Sequence, residues 1–196
     1  MSRYDERTAL VVVDLQNDFA DPAGGLSVTG GDAIVPGVNA AIASAREAGA
    51  FVVATQDWHP ESTPHFAKDG GIWPIHCVGG TWGAELHPDL VLPADAPRVR
   101  KGQHGEDGYS GFTMRDPTSG EEMATELESL LRERGIERVV VCGLATDYCV
   151  KATALDAARL GFEVTVLAHA VAAVNLDPSD GERALSEMLE GGVQLA

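Results

Sequence analysis

The sequence predicts an α/β fold: a three-layer αβα sandwich around a central, mainly parallel sheet of six strands. Three observations predict it. Short apolar runs alternate along the chain with longer segments of helical period. The strands read as near-continuous Val, Leu and Ala runs, the pattern of strands buried on both faces, rather than as a strict apolar–polar alternation. With 196 residues, 44% of them hydrophobic and no internal repeat, the chain can bury a core as one domain over 1–196.

The elements follow in order. Residues 9–14 (ALVVVD) form the first strand. A helix over 33–48 carries Ile34, Val38, Ile42 and Ala45 on one stripe, and Gly49 ends it. Residues 50–55 form a second buried strand. The connection over 58–94, rich in Trp, His, Pro and Gly, is longer than a mere connector and is expected to be functional. A short strand over 98–101 precedes a Gly-rich loop over 102–120. A helix over 121–134 places Met123, Leu127, Leu130 and Leu131 inward and stops at Gly135. A strand over 139–142 leads to a helix over 147–160, with Val150, Ala154, Ala157 and Ala158 on its inner face. A strand over 162–167, a helix over 179–190 and an apolar tail over 193–195 complete the chain. Strands joined through helices run parallel, and their sites form at the carboxyl ends of the strands.

Composition narrows the function classes. The formal net charge is −16, from 30 acidic and 14 basic residues. Nucleic acid and anionic membrane surfaces are excluded as partners, because both require basic patches. A small neutral substrate escapes that objection, and both a monomer and a homo-oligomer are compatible with the composition. No stretch approaches the roughly 18 apolar residues of a membrane span. The N-terminus, MSRYDERTALVVVD, is acidic where a signal peptide is basic and apolar. The three cysteines, Cys77, Cys142 and Cys149, are odd in number and lack a C-x-x-C spacing. A reducing cytoplasm is therefore expected.

Four strand ends carry reactive side chains: Asp14 after the first strand, Asp57 with His59 after the second, Lys101 after the third and Cys149 after the fourth. One carboxylate at a strand end is commonly a loop cap, but the conjunction points to a site. With Thr146 as N-cap, Cys149 lies in the first turn of a helix, where the dipole and free N–H groups favour the thiolate and can hold an oxyanion. Asp14 can take the thiol proton and return it to a leaving amine. Lys101 keeps that acid ionised and oriented. Asp57 and His59, two apart, reach one point, and His65 and His76 can fold back to it from the long loop. Mixed carboxylate and imidazole donors suit Zn²⁺, Fe²⁺ or Mn²⁺. Cys142 reads as a buried structural thiol and His87 and His169 as structural. Cys77 reads as either a buried thiol or a soft ligand, and His104 is ambiguous.

The segments VVVDLQNDF, TQDWHPESTPHF, WPIHCVGG, RKGQHGEDGYSGF and VCGLATDYCVKATALDA together resemble nicotinamidases of the isochorismatase-like cysteine hydrolase superfamily, from about Thr8 to the C-terminus. The resemblance implies a catalytic triad of Asp14, Lys101 and Cys149, and a divalent metal held by Asp57, His59, His65 and His76. It implies aromatic walls from Phe19, Trp73 and Tyr109, and an oxyanion hole from the N–H groups of Ala145 and Cys149. It also implies substrate contact at Leu144 and Ala145, joined by a cis peptide. The activity implied is hydrolysis of nicotinamide to nicotinate and ammonia through a Cys149 thioester, feeding NAD salvage, with pyrazinamide as a further substrate. His104-Gly105-Glu106-Asp107 matches no pattern of the family. Two other readings share this fold: a metal-free amidase or isochorismatase, separated by metal content, and a non-catalytic scaffold, which would have lost part of the triad.

Overall fold

In the computed structural model, which describes residues 4–196, six strands form one parallel sheet in the order β3-β2-β1-β6-β7-β8. They are β1 (Thr8–Val13), β2 (Phe51–Asp57), β3 (Arg98–Lys101), β6 (Arg138–Leu144), β7 (Glu163–Ala172) and β8 (Gln194–Leu195). A separate antiparallel hairpin comprises β4 (Thr113–Arg115) and β5 (Glu122–Ala124). The helices are α1 (Asn17–Ala20), α2 (Val35–Glu47), α3 (Leu127–Glu133), α4 (Lys151–Arg159) and α5 (Asp180–Glu190).

Alternation along the strands builds two cores. Leu10 and Val12 of β1, Val52 and Ala54 of β2, and Val140 and Cys142 of β6 face one side, where Val38, Ala41, Ile42 and Ala45 of α2 cover them. Ala9, Val11 and Val13 of β1, Val53 of β2, and Val139 and Val141 of β6 face the other. There they meet Leu127 and Leu131 of α3, Ala154 and Ala157 of α4, and Met188 of α5. The expected three layers and six strands are thus both present, and the tail over 193–195 supplies the last strand.

The strand order also locates the site. The chain runs outward from β1 through β2 to β3, then returns to the opposite side of β1 as β6. Crossovers on either side of β1 diverge there, leaving a crevice at its carboxyl end.

Two local expectations fail. The segment expected as a helix over 121–134 is helical only from Leu127; Glu122–Ala124 is strand β5, with Met114 opposite Met123. The Asp116 carboxylate gathers the N–H groups of Thr118 and Ser119 into a turn that Gly120 closes at φ 75°. Thr125 donates its N–H to Phe112 and its hydroxyl to the carbonyl of Gly111, so the backbone is committed to the hairpin before a helix can begin. Met123 is consequently half-buried in the hairpin rather than inward on a helix, while Leu130 packs half-buried against the core beside Leu127 and Leu131. Thr146 does not cap α4. A π-helical turn over Thr146–Val150 precedes α4, with Tyr148 and Val150 donating to the carbonyl of Ala145.

Gly143, at the irregularity between β6 and β7, has φ 112°, and a Cβ there would lie 2.1 Å from the carbonyl oxygen of Val13. Gly30 has φ 79° but open space around it. Gly30→Ala should cost only the left-handed penalty, about 1–2 kcal/mol. Gly143→Ala should cost roughly 3 kcal/mol or more, because the clash with backbone adds to that penalty. Denaturant unfolding of the two variants measures the difference; equal losses would contradict the packing described.

Candidate active site

At the end of β1 the chain turns through Asp14 at φ 43°. The turn aims its carboxylate under the sheet edge, where the Thr55 hydroxyl of β2 donates to Oδ1 at 2.6 Å. The same hydroxyl accepts the Asp14 N–H at 3.2 Å. Lys101, the last residue of β3, is completely buried. Its ammonium pairs with Asp14 Oδ2 at 2.7 Å, hydrogen-bonds Asp57 Oδ1 and the carbonyl oxygen of Gly108, and lies 3.7 Å from Cys149 Sγ. The three sequence-predicted residues Asp14, Lys101 and Cys149 therefore meet at one point.

Charge is distributed unequally within this group. Burial works against the Lys101 ammonium, but the two carboxylates more than offset it and raise its pKa well above the ordinary value. Burial likewise works against Asp57, yet Lys101 and the neighbouring imidazoles hold its carboxyl below the usual range. For Asp14, burial outweighs Lys101, and the charge on Asp57 adds to it, so its pKa is raised. One carboxylate is kept ionised and the other is poised to hold a proton, which is the separation an acid–base residue needs.

Cys149 departs from expectation. Burial pushes its thiol well above the ordinary value; Lys101 opposes the shift, while Asp14 and Asp57 reinforce it. Burial, the largest cause, follows from the packing of several strands and is not a property of the helix end. These influences favour the thiol over a standing thiolate, with the Asp14 carboxylate within 4.8 Å of the sulfur.

The histidines converge next to this trio. His59, His65 and His76 each offer a nitrogen, all within 4.8 Å of one another. Asp57 Oδ2, the oxygen that Lys101 does not engage, lies 3.8 Å from His59 Nε2 and 4.0 Å from His76 Nε2. These separations exceed a hydrogen bond. They match two donors of one ion, each about 2.0–2.2 Å from it and so roughly 3–4.4 Å apart. Both ring nitrogens of His59 are buried without a hydrogen-bond partner. His76 Nδ1 is 2.8 Å from the carbonyl oxygen of Pro74, leaving Nε2 free, and burial lowers its pKa to about 4. A neutral imidazole with an orphaned nitrogen is the form that ligates a metal. The four residues fit a divalent ion.

A cleft of about 450 Å³, counted with its open mouth, lies over both groups. Phe19, Trp73, Tyr109 and Tyr148 wall it, with Asp57, the three histidines, Ala145 and Cys149 also lining it. Trp73 Nε1 donates to the Tyr109 hydroxyl at 2.9 Å, joining two loops across the cleft. The Leu144–Ala145 peptide is cis, as the resemblance implied. Leu144 itself is fully buried and does not line the cleft.

Several positioning groups escaped the sequence reading. The Gln16 amide accepts the Asp57 N–H and donates to the carbonyl oxygens of Asp57 and Ala84. Asp18 accepts the N–H groups of Cys77 and Gly25, and Asp147 those of Val174 and Asn175. Asp107 contacts His65, and Tyr148 stands edge-on to Trp73 at 5.0 Å. All lie within the motif segments, but the role of each is recognised only by where its partner lies. Cys77 and Cys142 are fully buried, and neither belongs to a donor cluster among the described residues. The His104 side chain is exposed.

Because only Cys149 opens onto the cleft, iodoacetamide should modify one thiol per native chain and three after unfolding, as read by mass spectrometry. Its rate should keep climbing as pH passes the ordinary thiol value of 9.0. A plateau near neutrality would show a standing thiolate instead.

Residues 8–195 match the family model described as the isochorismatase domain. The chain is 39% identical to a nicotinamidase of Escherichia coli, over 95% of this chain and 93% of that protein. It is 40% identical to a nicotinamidase/pyrazinamidase of Mycobacterium tuberculosis, over 95% and 97%. The crystal structure of a pyrazinamidase of Pyrococcus horikoshii in complex with zinc superposes with a TM-score of 0.86 at 46% identity, covering 97% of this chain and 98% of that one. With a full-length family match and relatives of this identity, the chain belongs to the isochorismatase family of hydrolases.

Proposed function

We propose that this chain, acting as a single domain in a reducing cytoplasm, is a nicotinamidase that hydrolyses nicotinamide to nicotinate and ammonia and also accepts pyrazinamide. The observation that carries the reading is the contact of two sites through Asp57. Cys149, with Asp14 and Lys101 buried behind it, and the His59–His65–His76 cluster line one aromatic cleft.

A flat, neutral pyridine carboxamide suits a cleft lined mainly by aromatic and apolar side chains. Phe19, Trp73 and Tyr109 hold the ring between them. Asp14 removes the Cys149 proton as the sulfur attacks the carboxamide carbon, so the thiolate forms only when its electrons are being used. Lys101 stays charged throughout and fixes Asp14 in place. The backbone N–H groups of Ala145 and Cys149 receive the oxyanion. Asp14 then gives its proton to the departing nitrogen, and ammonia leaves a thioester on Cys149. Asp14 takes a proton from water, the resulting hydroxide attacks the thioester, and nicotinate departs as the proton returns to the sulfur. Asp57, His59, His65 and His76 would hold one divalent ion, Zn²⁺, Fe²⁺ or Mn²⁺, which when bound supplies a Lewis-acid partner for the pyridine nitrogen.

Ammonia release from nicotinamide by the purified protein tests the reading. Cys149→Ala should abolish turnover with the fold intact, while Cys142→Ala should retain it. Asp14→Asn should lose about 10²–10⁴-fold in kcat, and more if both half-reactions suffer. An active Cys149→Ala variant would remove the thioester route.

The metal is tested separately. Chelation should abolish nicotinamide hydrolysis and added Zn²⁺, Fe²⁺ or Mn²⁺ should restore it. Benzamide, which has no ring nitrogen, should be a poor substrate in every state. Equal hydrolysis of benzamide and nicotinamide by stripped protein would move the assignment to the metal-free amidases.

A further inference from the structure

The loop after β3 contains one carboxylate whose position the reaction does not explain. Asp107 Oδ1 lies 2.6 Å from His65 Nδ1. This contact joins a side chain that keeps 31% exposure to an imidazole that keeps only 6%. An acid with access to water is thus turned inward onto a buried ring. The backbone does not need the carboxylate for this. Asp107 and Arg115 already exchange both N–H···O bonds at 2.8 Å, which anchors the loop to the β4–β5 hairpin.

The same loop touches the histidine cluster elsewhere. Thr63, two residues before His65, donates its hydroxyl to the carbonyl oxygen of Gly105 at 3.0 Å. Gly102 packs so closely on His59 that a Cβ would lie 2.8 Å from its ring. The loop next supplies Gly108 O to Lys101, and Tyr109 to the cleft wall. His65 also sits within a close stack: its ring centroid is 4.8 Å from that of His59 and 5.4 Å from that of His76.

A free imidazole can offer either nitrogen to a metal and can rotate. One whose Nδ1–H is engaged by a carboxylate offers only Nε2, in a fixed plane, and is a stronger donor. We propose that Asp107 is a positioning residue that fixes the tautomer and plane of His65 for a divalent cation, and that a bound cation in turn holds the loop over 102–109 more tightly through His65 and Asp107. The proposal rests on the metal reading above and adds to it the group that sets the affinity. It also gives His104-Gly105-Glu106-Asp107 a purpose: the exposed His104 N–H is held by the Glu106 carboxylate at 2.9 Å, and that turn delivers Asp107 to His65.

The test uses metal-stripped full-length protein and Zn²⁺ alone, with affinity measured by competition against a chromophoric chelator. Asp107→Ala should bind Zn²⁺ roughly 10–100-fold more weakly than the parent. Asp107→Asn, which keeps an acceptor but loses the charge, should show a smaller but clear loss. Hydrogen exchange gives a readout independent of catalysis. Zn²⁺ should slow amide exchange over 102–109 in the parent and fail to do so in Asp107→Ala. If the alanine variant does not fold, the asparagine variant carries the test alone, with weaker binding supporting the proposal and parent-like binding overturning it. A parent that takes up no Zn²⁺ overturns the metal reading and this one together. One equivalent bound by the parent, lost in His59→Ala but kept at parent affinity in the Asp107 variants, overturns this proposal alone.

Discussion

The structure depends on one buried cation. Lys101 sits with no exposure at the carboxyl end of an edge strand, and an ammonium there is tolerable only with all its donors engaged. Its partners come from β1, from β2 and from the loop after β3. Each must be in place for any to be stable. The requirement fixes the relative heights of three strand ends and draws the Gly108 backbone onto the lysine stem, where a Cβ would lie 2.9 Å from that of Lys101. The thiol, 3.7 Å away, inherits its position and its electrostatics from the same ion.

Asp57 carries this order across to the histidines. One of its oxygens belongs to Lys101, and the other faces His59 and His76. Gln16 grips the Asp57 backbone on both sides and also holds Ala84, so the far end of the long connection is tied to the same point. A long loop can therefore present His65 and His76 with the definition of a strand end. Its rigidity is borrowed from the sheet rather than built from its own secondary structure.

The parts of this arrangement that the sequence discloses are those that follow from local pattern. Apolar runs mark the strands, and reactive residues that directly follow them fall at one edge because parallel strands all end there. Asp14, Asp57, Lys101 and Cys149 were legible for that reason. The β4–β5 hairpin was not, because Thr113–Arg115 and Glu122–Ala124 are short and only half-buried, and Leu127 and Leu131 mimic the tail of a longer helix. Thr55, Gln16 and Asp107 were not, because an amide, a hydroxyl or a carboxylate gains its role from a partner 41 or 42 residues distant. The state of the Cys149 thiol is hidden for a related reason: its helix end is a local feature, while the burial that chiefly raises it, and the carboxylates that add to it, come from the packing of other strands.

The placement of the histidines at the floor of a closed-in cleft has a consequence for what the proposed enzyme leaves untouched. A pyridine that is to meet the cluster through its nitrogen must arrive with that lone pair bare. In a dinucleotide the same nitrogen is bonded to a sugar: the lone pair is spent, the ring is cationic, and a ribose projects where Asp57, His59 and His76 already lie. Both molecules carry the same carboxamide group, so recognition of the amide alone offers no basis for choice. Selection at the remote end of the ring allows such a hydrolase to share a compartment with an intact coenzyme pool and draw only on the base already released from it.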